Sequence, residues 1–245
     1  MPIWLSADVL ALIATAASIG VLHTAIGPDH YVPFAALARA RGWSAVRTAA
    51  ITAACGLVHI AGSVLLGLVG VAFGLALESL TGIELWRGNL AAWLLLSFGL
   101  VYMVWGMRRA NRQHSHAHVH THADGVVHSH AHDHAGDHGH IHAEQSRASL
   151  APWALFLIFA FGPCEALIPL LMYPAATHHV AAIVAVCAAF AIATLVTMQV
   201  LVLMMRWGLN RIDFSHRAFA GAARHVNTFA GALISVCALA MLVGL

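Results

Sequence analysis

His23-Thr24-Ala25-Ile26-Gly27-Pro28-Asp29-His30-Tyr31-Val32-Pro33 lies inside an apolar run that covers residues 9–38. Proline carries no amide hydrogen and bars its preceding residue from helical geometry, so a helix entering this stretch must break at Gly27-Pro28. Two polar residues, Asp29 and His30, follow the break at once. A second stretch, Phe161-Gly162-Pro163-Cys164-Glu165-Ala166-Leu167-Ile168-Pro169, repeats the pattern 135 residues later inside the apolar run 151–177. A broken helix at membrane depth frees carbonyls on one side and amides on the other, and inverted-repeat transporters bind their cargo at such breaks.

Working outward, the composition fixes the medium. Of 245 residues, 60% are hydrophobic and 9% charged, with mean hydropathy +0.80, against about 25% charged in an ordinary soluble domain. This excludes a soluble globular enzyme and a disordered chain. Apolar runs at 9–38, 48–75, 89–107, 151–177, 180–205 and 226–245 predict six transmembrane helices of an all-α polytopic membrane protein. Ser97, Met103 and Gly106 match Ser235, Met241 and Gly244 in the same order as the Gly-Pro stretches. The expected organisation is therefore two inverted three-helix repeats, 1–107 and 151–245, with helices 1 and 4 broken at Gly-Pro, flanking a His-rich loop at 108–150.

All twelve basic residues are Arg, and eleven fall in the first, third and fifth connections. Arg87 is assigned to the second connection, beside Glu78 and Glu84. The positive-inside rule then puts the odd connections in the cytoplasm and both termini outside, as in a bacterial inner-membrane protein. Residues 1–8 lack a basic region, so no cleavable signal peptide is expected. A net charge of +2 gives no reason for a nucleic-acid partner.

The third connection holds twelve of the nineteen His, in the alternating strings HSHAHVHTH (114–122), HSHAHDH (128–134) and HGHIH (138–142). These are His114, His116, His118, His120, His122, His128, His130, His132, His134, His138, His140 and His142. The tract cannot build a core and is expected to be low-complexity, disordered or ordered by metal, acting as an accessory reservoir of labile nitrogen ligands. Within the apolar runs the ionisable side chains are few: His23, Asp29, His30, His59 and Glu165, with Cys164 as a soft companion. Such residues are costly in a bilayer and mark functional sites. Imidazole, carboxylate and thiolate together suit Ni²⁺, Co²⁺ or Zn²⁺; a sodium or potassium site would use oxygen alone. Glu165 is either a ligand or a proton carrier. Cys55, Cys164, Cys187 and Cys237 form no CxxC pair and read as neither a disulfide framework nor a zinc knuckle.

HTAIGPDHY (23–31) resembles the first motif of the nickel/cobalt transporter superfamily, H-x4-D-H, with one extra residue between His23 and Asp29. CGLVHIAGSV (55–64) resembles its second motif. Six spans with a cytoplasmic His-rich loop resemble the RcnA-like efflux branch, and UreH-like proteins are similar. FGPCEALIPLL (161–171) looks closer to the Pro-Cys motif of CcdA/DsbD-type thiol electron carriers, a related fold. The resemblance implies a secondary transporter of a divalent metal ion, Ni²⁺ or Co²⁺ with Zn²⁺ also suited, that is not an enzyme and has no prosthetic group. Its partners would be the lipid bilayer, the ion, and a cytoplasmic metallochaperone or a second copy of the chain. The alternatives are a thiol electron carrier and a non-transporting metal sensor. The redox alternative needs a cysteine at both breaks, and the mate of Cys164 is Asp29. The absence of a Walker motif argues against an ATPase.

Overall fold

The computed structural model describes residues 6–74, 77–112, 116–121, 127–132, 150–162, 164, 166–176, 180–211 and 224–244. The first apolar run forms helix α1 (Ala7–Ile26), a single 3-10 turn (Pro28–His30) and helix α2 (Val32–Arg41). Helices α3 (Ala45–Ala72) and α4 (Leu77–Arg112) follow. Strands β1 (His116–Thr121) and β2 (Val127–His132) come next. The second half contains α5 (Leu150–Phe161), α6 (Leu167–Ala176), α7 (Val180–Arg211) and α8 (Val226–Leu242). Four of these helices, α1, α3, α4 and α7, are long and apolar enough to cross a membrane.

The distribution of side chains is that of a membrane-embedded bundle. Thr24, His30, Thr52, His59, Ser63 and Glu84 are buried, while Leu22, Leu57, Trp93, Val101, Ile192 and Val236 are exposed. Water would reverse this arrangement; in hydrocarbon, apolar groups face outward at no cost and polar ones must find partners inside.

Both Gly-Pro stretches interrupt their helices. At the first, 20 helical residues precede the break and 10 follow it, so the break is not central in its segment. At the second, α5 stops at Phe161 and α6 resumes at Leu167; Pro163 and Glu165 lie outside the described residues. The short helix α2 is apolar from Val32 through Ala38, all of them buried, and carries Arg39 and Arg41 only in its last turn, as expected of a helix whose first two turns have no polar face. It ends at Gly42, whose φ of 62° allows Trp43 to donate its amide back to the Ala38 carbonyl at 2.9 Å.

One expectation is corrected. The third apolar run begins at Leu77 rather than at 89, so Glu78, Glu84 and Arg87 lie within helix α4 and not in a connection. At 1.5 Å per residue α4 is about 54 Å long, well beyond a hydrocarbon core of about 30 Å. Within the His tract the described residues are those of β1 and β2. β1 and β2 pair antiparallel, with His116 opposite His132, His118 opposite His130 and His120 opposite His128. Strict alternation is the strand period, and Asp124-Gly125 between the strings is a tight-turn signal. His114, His122, His134, His138, His140 and His142 lie outside the described residues.

Helix contacts exchange the two halves. α1 packs on α7 and α5 on α3; α2 packs on α7 and α8, and α6 on α3 and α4 as well as on α7 of its own half; α3 packs on α7 and α4 on α8. The α4–α8 contact is built on small residues that let backbones approach, the usual device where no hydrophobic force separates protein from solvent. A methyl group on Gly106 would fall 2.5 Å from the Thr228 nitrogen, and one on Gly99 would fall 3.0 Å from the Gly231 carbonyl oxygen. Gly244, matched to Gly106 in the sequence, instead follows α8 at φ 78° with nothing near it.

Gly106→Ala is expected to lower the thermal midpoint in detergent, because overpacking against fixed backbone costs about 1–3 kcal/mol. Gly82→Ala, on the same helix with nothing within 4 Å, should raise it slightly through helix propensity. Equal midpoints for the two variants would place the α4–α8 contact elsewhere.

Candidate metal centre

The first break folds His30 back toward α1. The Gly27 amide donates to the His23 carbonyl at 3.1 Å and closes the helix; the His30 amide then donates to the Gly27 carbonyl at 3.2 Å and the Tyr31 amide to Pro28 at 3.3 Å. This tight turn brings the His30 ring to 4.8 Å from the His23 ring, nearly perpendicular to it. Helix α3 presents His59, whose ring lies 5.3 Å from His30. One ring nitrogen from each of the three lies within 4.8 Å of the others. Nitrogens sharing a tetrahedral ion at about 2.1 Å stand about 3.4 Å apart, so small ring rotations close the set.

The hydrogen-bonding pattern fixes which atoms are available. His30 Nδ1 lies 3.2 Å from the Gly27 carbonyl oxygen and 3.3 Å from Asp29 Oδ1. Both are acceptors, so Nδ1 carries the hydrogen; in the neutral ring Nε2 then keeps its lone pair, the orientation that a carboxylate or carbonyl gives a metal-binding imidazole. His30 Nε2, His23 Nε2 and both ring nitrogens of His59 are buried without a hydrogen-bond partner among the described residues. Three imidazoles with unmet lone pairs in an apolar interior are expensive, and a shared cation offsets that cost. Asp29, next to His30, supplies negative charge at the same place.

Glycines at both breaks make room. A methyl group on Gly27 would fall 2.7 Å from His30 Nδ1 and 2.8 Å from Asp29 Oδ1, and one on Gly162 would fall 2.8 Å from His59 Nδ1. The second break thus contributes its Gly162 backbone as one wall of the site. Phe159 on α5 covers His59 and His30 at centroid distances of 5.9 and 6.5 Å, and Phe34 stacks edge-on behind it at 4.8 Å. Away from these rings a cleft of about 770 Å³ reaches His23, Asp29 and His30 between Thr81, Asn89, Pro169 and Gly244. Hydrogen bonds tie the helices together toward the opposite end. Arg41 Nε donates to the Tyr102 hydroxyl, which donates to Asn227 Oδ1, both at 2.9 Å, and Arg206 donates to the Trp43 carbonyl.

Of the expected ligands, the structure gathers His23, Asp29, His30 and His59. Cys164 is buried but is not in the gathered group; its amide donates to Ser63 Oγ and Glu84 Oε2, each at 3.2 Å. Glu165 lies outside the described residues. Cys55, one turn from His59, packs in the apolar core instead. Sequence reasoning missed Glu84 and Arg87. Glu84 is fully buried, and its Oε1 accepts from Arg87 Nη1 at 2.6 Å. Arg87 Nη2 donates to the Ala160 and Gly162 carbonyls at 3.2 and 3.3 Å. The i, i+3 spacing of opposite charges was the available signal. Removing one partner from such a pair costs about 3–5 kcal/mol.

No protein-family profile, curated protein or solved structure matches the chain.

Gly162→Ala is expected to weaken Co²⁺ binding by about tenfold or more, read from the visible absorption of the Co²⁺-imidazole complex, while far-ultraviolet circular dichroism stays unchanged. Affinity equal to that of the unmodified protein would mean that the wall does not position His59.

Proposed function

We propose that the chain is a secondary transporter of a divalent transition-metal ion, Ni²⁺ or Co²⁺ foremost and Zn²⁺ within reach of the same ligands. The observation that carries this reading is the convergence of His23, His30 and His59, with unpartnered ring nitrogens, at a helix break beside Asp29. Nitrogen ligands select borderline metals over alkali and alkaline-earth ions. An ion here has lost most of its water, and the protein must replace each lost ligand.

In this reading the broken pairs α1–α2 and α5–α6 each count as one span, giving six, and the exchange of helix contacts between halves supports an inverted repeat. With Arg87 removed from the connections, the remaining Arg among the described residues flank the end that carries Arg41, Tyr102 and Arg206, which supports a cytoplasmic assignment for that end and an external one for the cleft. The His hairpin then lies in the cytoplasm. Its register and alternation place six His positions on one face, a ladder of cross-strand pairs that suits metal capture. An isolated two-stranded hairpin is marginal in water, so metal and hairpin would stabilise each other. Such a reservoir serves loading before export or trapping after import; the family resemblance favours export.

Transport is expected to be lost in His30→Ala and His59→Ala, because one missing ligand of a handful leaves the ion under-coordinated. Asp29→Asn should cost about 10–100-fold in affinity, the usual effect of losing a carboxylate behind a ligating imidazole. Deletion of residues 114–142 should shift apparent affinity and leave measurable flux. Metal uptake by reconstituted vesicles, together with cellular Ni, Co, Zn, Mn and Cu content, checks all of these. Unchanged content for every metal would overturn the transport reading, and a dead tract deletion beside an active His30→Ala would move the essential site to the loop.

A further inference from the structure

The second helix break has the shape of a cation site that is already filled. Four oxygens surround the Arg87 guanidinium: the Ala160 and Gly162 carbonyls freed by the break, Ser63 Oγ at 3.4 Å, and Glu84 Oε1 at 2.6 Å. Among the described residues, carbonyls of an unwound segment, a hydroxyl and one carboxylate form an all-oxygen set around the guanidinium with a single negative charge. That is the donor set by which broken transporter helices hold a small monovalent cation. Glycine again makes the room: a methyl group on Gly62 would fall 2.7 Å from Arg87 Nη2. The nitrogen-rich site at the first break and the oxygen set around Arg87 share Gly162 as a boundary, since its Cα faces His59 while its carbonyl accepts from Arg87.

We propose that the second helix break is a monovalent-cation site whose ion is replaced by the tethered guanidinium of Arg87. The protein therefore carries a permanent positive charge where a coupling sodium ion would otherwise bind. Glu84 is the fixed counter-charge, and its second oxygen holds the Cys164 amide across the break. This deepens the transport reading by making metal movement independent of sodium. The occupancy of the site does not depend on that reading and is tested without transport.

The test is thermal unfolding of the purified protein in detergent at pH 8 and constant ionic strength, with sodium, lithium or potassium chloride exchanged against N-methyl-D-glucamine chloride. The unmodified protein should melt at the same temperature in all of them. Arg87→Ala should melt lower in N-methyl-D-glucamine and recover about 5 °C or more as a small cation saturates the vacated oxygens. The double variant Arg87→Ala with Glu84→Gln should lose that recovery, because the anionic oxygen is gone. A latch with no cation site would leave Arg87→Ala equally destabilised in every salt, which overturns the proposal, as does a cation response in the unmodified protein or in the double variant. If Arg87→Ala cannot be isolated in N-methyl-D-glucamine, its yield in sodium decides: recovery in sodium alone supports the site, and equal failure in both salts refutes it. Co²⁺ binding at the histidines is recorded in parallel, so a failed cation site and a failed metal centre are told apart.

Discussion

A backbone broken in an apolar interior must still satisfy its amides and carbonyls, and each unmet group there costs several kcal/mol. Two Gly-Pro stretches impose this requirement twice. The first break meets it with its own turn, where His30 bonds to Gly27 through both its amide and its ring. The second imports an ion pair from α4, with Arg87 on the carbonyl side and Glu84 on the amide side. The positions of α3 and α4 follow from this, because Ser63 and Glu84 must reach the same gap.

The two solutions differ in charge, and the difference divides the labour. At the first break the turn consumes one ring nitrogen of His30 and leaves the other, with those of His23 and His59, facing a common space. At the second every freed group that the ion pair reaches is already bonded. The first break leaves ring nitrogens without partners, whereas at the second the described groups, the Ala160 and Gly162 carbonyls and the Cys164 amide, are bonded to Arg87 and Glu84, although the sequence writes Gly-Pro at both.

Packing keeps the open site defined. Phe159 and Phe34 pack apolar rings against one side, and the Arg41–Tyr102–Asn227 chain ties helices together beyond them. The glycine contact between α4 and α8 brings the outer helices close enough for Met241 and Asn89 to line the cleft. Rigid rings and close backbones fix imidazole geometry where a looser pocket would let each ring find water.

The sequence alone determined the medium, the two breaks and the residues gathered at the first, because each rests on local chemistry: apolar run length, the missing proline amide, and the cost of an ionisable group in hydrocarbon. His23, Asp29, His30 and His59 were legible for that reason. The depth of Arg87 and Glu84 was not. A charged pair reads the same in a loop as in a helix until its partners are known, and those partners, Ala160, Gly162 and Cys164, lie more than seventy residues away. The hairpin in the His tract was written in its alternation and its Asp-Gly signal, yet composition spoke more loudly. Only tertiary structure could decide which freed backbone groups were answered from elsewhere in the chain, because that depends on which helices meet and not on any stretch of sequence taken singly.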